Sequence, residues 1–233
     1  VLIPIVIGFA AFVQTAFGFG IALVSMPILT ALIGLHIAAP LVALIALTIR
    51  LFMIRQYFNH LKLSEVWRLM AAAIIGIPFG FIAYYHVPQH LVESILGVVV
   101  VGYATFILIK PKIQRLEHPS WPYSLGFASG ILAGAYNIGG PPAVVYATGR
   151  QWEPTTFKGN LQAISLVSGF LVIFTRATNQ EFTETVFAYY LLALPMILVG
   201  IGLGFWSDRR LDTKRFQHIV LYLLMALGIS LIL

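Results

Sequence analysis

The chain has 233 residues, of which 60% are hydrophobic and only 9% charged, with a formal net charge of +6 and no cysteine. Soluble domains carry roughly 45–50% apolar and about 25% charged residues, so a soluble globular fold is excluded. The missing cysteines exclude disulfides, thiolate metal sites and cysteine nucleophiles. The basic residues sit at the ends of apolar runs, the pattern that orients membrane helices and not one that binds nucleic acid.

The first apolar segment runs from Val1 to Leu35, far longer than the about 20 residues needed for one crossing. It passes through the glycine-containing stretch Phe17-Gly18-Phe19-Gly20 with no A-x-A-like site, unlike a removable signal peptide. Ile37 to about Arg55, about Val66 to Tyr85 and about Leu91 to Ile109 each suit a single span. A charged, proline-containing linker follows at 110–122. The second half repeats the order, with Tyr123–Thr148 interrupted by Asn137-Ile138-Gly139-Gly140-Pro141-Pro142. About Phe157–Thr175, Val186–Trp206 and Phe216–Leu233 then complete the chain. The division is a first membrane repeat at 1–110, a cytoplasmic linker at 111–121 and a second repeat at 122–233.

Matching residues support a duplication. Gly8-Phe9-Ala10-Ala11 corresponds to Gly126-Phe127-Ala128-Ser129, and Gly76 and Gly80-Phe81 correspond to Gly200 and Gly204-Phe205. Gly18-Phe19-Gly20 falls opposite Asn137-Ile138-Gly139 after a one-residue slip. Small residues are common in membrane helices, where they let backbones approach, but the shared order and spacing favour a repeat.

Charge decides how the halves are oriented. If residues 123–148 crossed the membrane once, eight of the 14 basic residues would share a side and six would lie opposite. If the segment turns back, 13 lie on one side and Arg176 alone on the other. Basic residues belong in cytoplasmic loops, so 123–148 is expected to be a re-entrant hairpin. By the repeat, 1–35 is another. The expected fold is an all-α polytopic membrane protein of two inverted-topology repeats, each a broken hairpin followed by three transmembrane helices. Inverted repeats with discontinuous helices are a transporter plan, with the substrate near the midplane between the breaks.

The breaks have their own chemistry. Unpaired backbone groups are tolerated at membrane depth only where protein or water covers them. Pro141 and Pro142 suit the first positions of a helix, while Gly139 and Gly140 leave N–H groups open. Two helix starts facing one another make an anion site. Gln14 and Asn137 are expected as substrate donors, against a reading in which they only tie helices together. Other polar residues are Thr15, Ser25, Tyr146, Asn160, Gln162, Ser165 and Ser168. Asn160 and Gln162 suit interfacial placement equally well, and Tyr136 and Tyr146 suit packing. Arg50 is the one strong candidate for a charge inside a span; such charges are usually functional, though Arg50 could also snorkel towards the interface. No carboxylate falls mid-span, so a buried proton relay or sodium carboxylate site is unsupported. No nucleotide loop, zinc helix or serine-nucleophile motif is present.

The stretches Ala16-FGFGIALVSM-Pro27 and Gly126-FASGILAGAYNIGGP-Pro142 resemble the two signature repeats of the TauE/SafE sulfite-exporter family. The first is a sparser variant, with Gly18 and Gly20 but no glycine triplet. The resemblance implies a multi-pass carrier of the bacterial inner membrane for small sulfur-containing anions such as sulfite or organosulfonates. The expected site comprises Gln14, Gly18, Gly20, Arg50, Asn137, Gly139, Gly140 and Gln162. No metal, cofactor or enzymatic activity is expected. The expected partners are a small anionic substrate and the lipid bilayer, with no nucleic acid and a homo-oligomer left open. An anion channel, a carrier of another carboxylate or oxyanion, and a structural subunit are the alternatives.

Overall fold

A computed structural model describes residues 2–109, 115–207 and 213–232, with the side chains of 213–220 and 232 left aside. The basic residues Lys110, Lys112, Arg209, Arg210, Lys214 and Arg215, used above to orient the chain, lie outside the described side chains. The described residues form helices joined by short turns. The first break falls where expected: α1 (Leu2–Phe17) stops before Gly18 and α2 (Ile21–Ile33) starts after Gly20. Next come α3 (Leu35–Tyr57), α4 (Leu63–His86) and α5 (Gln89–Ile109). The second half repeats this order with α6 (Trp121–Tyr136), α7 (Gly140–Gly149), α8 (Pro154–Thr178), α9 (Glu184–Ser207) and α10 (Thr213–Ile232).

Among the described residues, α3, α4, α5, α8 and α9 are long and apolar enough to cross a membrane, giving an all-α polytopic membrane protein. Helix α1 has 16 residues, α2 has 13 and α7 has 10. At 1.5 Å per residue they span about 24, 20 and 15 Å, each short of a roughly 30 Å hydrocarbon core. The backbone N–H of Leu116 donates to the Gly149 carbonyl at 3.1 Å, so the end of α7 returns to the linker that precedes α6. The start of α4 joins them: Ser64, Glu65 and Arg68 line a cavity of about 190 Å³ with Leu116, His118, Tyr146 and Arg150. Lys62, Arg68, Arg115 and Arg150 therefore share one side, as the hairpin reading requires.

The matched glycines serve matched interfaces. On α4 and α6, side chains at Gly76, Gly80, Gly126, Gly130 or Gly134 would overlap backbone of the facing helix. On α1 and α9, a Cβ at Gly8 would meet the Met196 carbonyl at 3.0 Å, and one at Gly200 would overlap the Gly8 carbonyl. Each first hairpin arm thus packs backbone to backbone on the fourth helix of the opposite half. Helices α3 and α8 pack on one another beside the breaks, and their buried residues join one core that includes Ile45, Ile49, Leu161 and Ile164.

Candidate functional site

Glycine and glutamine build the first break. Gly18 and Gly20 have φ of +87° and +117°, where a side chain is strained and glycine is not. The Gln14 Oε1 accepts the Ile21 N–H at 3.0 Å, and its Nε2 donates to the Gly18 carbonyl at 3.4 Å. Gln162 Nε2 donates to the same carbonyl at 2.6 Å. Both glutamines are therefore fastened to the backbone turn. Gln162 lies fully buried in α8, not at the interface, and its Oε1 has no partner.

Asparagine does the same at the second break. Asn137 adopts the left-handed conformation at φ 60° and closes α6, its N–H donating to the Ala133 carbonyl at 2.9 Å. Its side-chain Nδ2 donates to the Ala39 carbonyl of α3 at 2.8 Å. The Ser129 hydroxyl donates to the Gly139 carbonyl at 2.5 Å, pinning the start of α7 to α6.

Two helix starts then face one another. A helix start has four backbone N–H groups without intrahelical partners. In α7 two of these positions are Pro141 and Pro142, which have no N–H, so the donors left are on Gly139 and Gly140. A Cβ on Gly140 would sit 3.9 Å from the Phe19 Cβ of the other break and meet nothing closer. Gly20, Ile21, Asn137, Gly140, Arg50 and Ser165 line a cavity of about 20 Å³ at this junction. A second cavity of about 20 Å³ adjoins it, lined by Arg50, Asn137, Gly139, Ser165, Ser168 and Gly169 among others. Each has room for about one water.

Arg50 belongs to both cavities, so it turns inward and does not snorkel. Among the described residues it forms no ion pair, and its Nε is buried without a hydrogen-bond partner. Room for its guanidinium comes from α8, where a Cβ at Gly169 would lie 2.6 Å from Nη1. Sequence reasoning missed Gly169. The available signal was the small, polar spacing Ser165, Ser168, Gly169, which puts two small side chains and a glycine on one face of α8. A cation held beside two positive helix ends, with no ion-pair partner among the described residues, is an arrangement that attracts an anion.

Several other residues are engaged elsewhere. Thr15 and Ser25 donate to carbonyls one turn back in their own helices, at 2.9 and 2.6 Å. Asn160 is buried and accepts the Lys62 N–H at 2.8 Å. Tyr146 lies on the loop-side cavity, edge-on to Trp152, away from the two breaks, while Tyr136 is buried in the core. The expectation that Arg50 is the one strong candidate for an enclosed charge needs correction. Arg176, placed by the sequence in an outer loop region, is 0% exposed and forms an ion pair with Glu181. Helix α8 extends through Thr178, and packing against α4 encloses its last turn.

Among known protein families, the one described as Sulfite exporter TauE/SafE matches residues 3–231. No curated protein and no solved structure matches the chain.

Proposed function

Since the chain belongs to the sulfite exporter TauE/SafE family, a family of membrane transporters for sulfite and related sulfur anions, we propose that it is a secondary transporter of the sulfite or organosulfonate class in the bacterial inner membrane. The observation that carries this reading is Arg50, a guanidinium without an ion-pair partner among the described residues, at the point where the α2 and α7 starts meet. A sulfur oxyanion presents a compact trigonal face of acceptor oxygens. The N–H groups of Gly139, Gly140 and Gly20 are small, fixed donors for such a face, and Arg50 supplies the charge. Gln14, Gln162 and Asn137 act in this reading chiefly by holding the two turns; Gly18 gives the first turn its left-handed bend.

The cavities, at about 20 Å³ each, are too small for an organosulfonate and close to the size of a water site. This favours a carrier with an occluded resting state over an open anion channel. Movement of one half, 1–110, against the other, 122–233, as inverted repeats across the linker at 111–121 would enlarge the site towards one side at a time. Proteoliposomes loaded with unlabelled sulfite or sulfoacetate provide the test. Saturable uptake and counterflow of the labelled anion are expected. Absence of flux for sulfite and a panel of small organosulfonates would overturn the substrate class, and non-saturating flux would overturn the carrier.

A further inference from the structure

Helix α8 carries a cation near each end, and each cation touches the end of one hairpin arm. Lys158 Nζ donates to the Ala16 carbonyl at 3.0 Å, in the last turn of α1, and lies 5.5 Å from the centroid of the Tyr57 ring. Arg176 Nη2 donates to the Gly134 carbonyl at 3.5 Å, in the last turn of α6. The repeat match that pairs Gly8 with Gly126, an offset of 118 residues, pairs Ala16 with Gly134 at the same offset. Equivalent carbonyls in the two halves thus receive a cation from the same helix. The last carbonyls of a helix lack intrahelical donors and carry the negative end of its dipole, so a cation there is favourable.

The two cations sit towards opposite ends of α8. Lys158 and Arg176 are 18 residues apart within α8, about 27 Å along the helix axis, against a roughly 30 Å hydrocarbon core. Lys158 neighbours the end of α3 and so the loop side that holds Lys62. The arginine end is sealed more elaborately. The guanidinium lies 5.1 and 5.0 Å from the Phe81 and Tyr84 ring centroids. Glu181 pairs with it and also accepts the Tyr85 hydroxyl, while Tyr84 meets His36 Nδ1 at 3.3 Å. Between the two ends, Gln162, Ser165, Ser168 and Gly169 face the breaks and cavities. Along α8, the residues that line the two small cavities, Ser165, Ser168 and Gly169, therefore lie between the two clamps.

We infer that Lys158 and Arg176 are positioning residues for transport: each fastens one hairpin tip to α8, and release of one clamp at a time opens the cavity to that side. This rests on the transporter reading and adds which contacts alternate. A bare structural role for the same contacts would loosen the protein without a preferred side.

The chain has no cysteine, so Ser165→Cys provides a single reporter in the cavity wall. In proteoliposomes, a membrane-impermeant maleimide is applied from each side in turn. With Lys158→Gln, labelling from the Lys62 side is expected to rise about tenfold, the population shift that follows loss of one charge-assisted hydrogen bond, with the opposite side unchanged. Arg176→Gln is expected to do the converse. Because that variant strands Glu181, the double variant Arg176→Gln/Glu181→Gln, which removes both charges, carries the same expectation if the single one does not fold. Equal increases from both sides, a shift in only one of the two variants, reversed sidedness or no change would each overturn the inference. The readout needs no substrate. A protein that carries no sulfur oxyanion yet shows opposite shifts fails the proposed substrate; one that carries sulfite without the shifts fails the clamps.

Discussion

Replacing Arg50 by methionine is expected to move binding and stability in opposite directions. At an effective dielectric near 20, two unit charges about 4 Å apart interact by about 4 kcal/mol. With about 1.4 kcal/mol per tenfold, and part of the gross attraction offset by desolvating the anion, loss of the charge should weaken anion affinity by about 10²–10³. In the anion-free protein the sign reverses. Arg50 has no ion-pair partner among the described residues and its Nε is buried and unsatisfied, and a half-buried ion without a partner lowers stability. Methionine keeps an unbranched, flexible stem and drops the charge. The anion-free Arg50→Met protein should therefore melt at the wild-type temperature or above it. In wild type, a saturating anion at about 100 times its Kd adds about 2.7 kcal/mol, visible as a rise in melting temperature; in the variant the same concentration should add about 0.4 kcal/mol or less. A thermal-shift titration in detergent, paired with proteoliposome flux, measures both. A variant that melts below wild type without ligand while keeping its anion-dependent shift would refute the reasoning, because Arg50 would then be a structural residue and not part of an anion site.

Other expectations follow from the same geometry. Gly140→Ala should fold normally, since its Cβ meets only the Phe19 Cβ at 3.9 Å, but should lower transport by crowding the open N–H groups; undiminished flux would remove Gly140 from the site. Gly80→Val should sharply reduce the yield of folded protein, because even a Cβ there overlaps the Ile131 carbonyl and overpacking costs about 1–3 kcal/mol or more. Gly202→Ala has nothing within 4 Å of the new Cβ and should stabilise by up to about 1 kcal/mol through helix propensity, while Gly200→Ala should destabilise; thermal melts of the pair check the contrast. Cysteines at Gln151 and Asn59 should label from one side of the membrane and one at Asn179 from the other. Labelling of 151 and 59 from opposite sides would contradict the return of α7 to the linker.

Much of this arrangement was legible because it rests on local chemistry. The glycines at 18 and 20 and the prolines at 141 and 142 disfavour a continuous helix in any context, so both breaks could be placed to within a residue or two. The return of α7 was legible from charge, since basic residues stay on the cytoplasmic side, and the Leu116–Gly149 hydrogen bond agrees. The glycines shared by α4 with α6 and by α1 with α9 were visible as a repeat, but their pairing across halves was not. Small residues announce a close neighbour without saying which neighbour. The side-chain roles were less legible still. Gln14, Gln162 and Asn137 donate to carbonyls at the breaks and on α3, contacts set by where distant helices cross.

The sequence by itself determined the solvent, the number of apolar segments and the two breaks. Each follows from composition or from the conformational limits of single residues, and none depends on a distant partner. Only the tertiary structure decided that Arg50 faces the breaks and that Arg176 is sealed against Phe81 and Tyr84. Which way a helical side chain faces depends on the rotation of its helix, and that is fixed by packing. For Arg50 the deciding neighbour is Gly169, whose missing side chain leaves space for a guanidinium from another helix. For Arg176 it is α4, held against α6 and α8 by glycine contacts and aromatic rings.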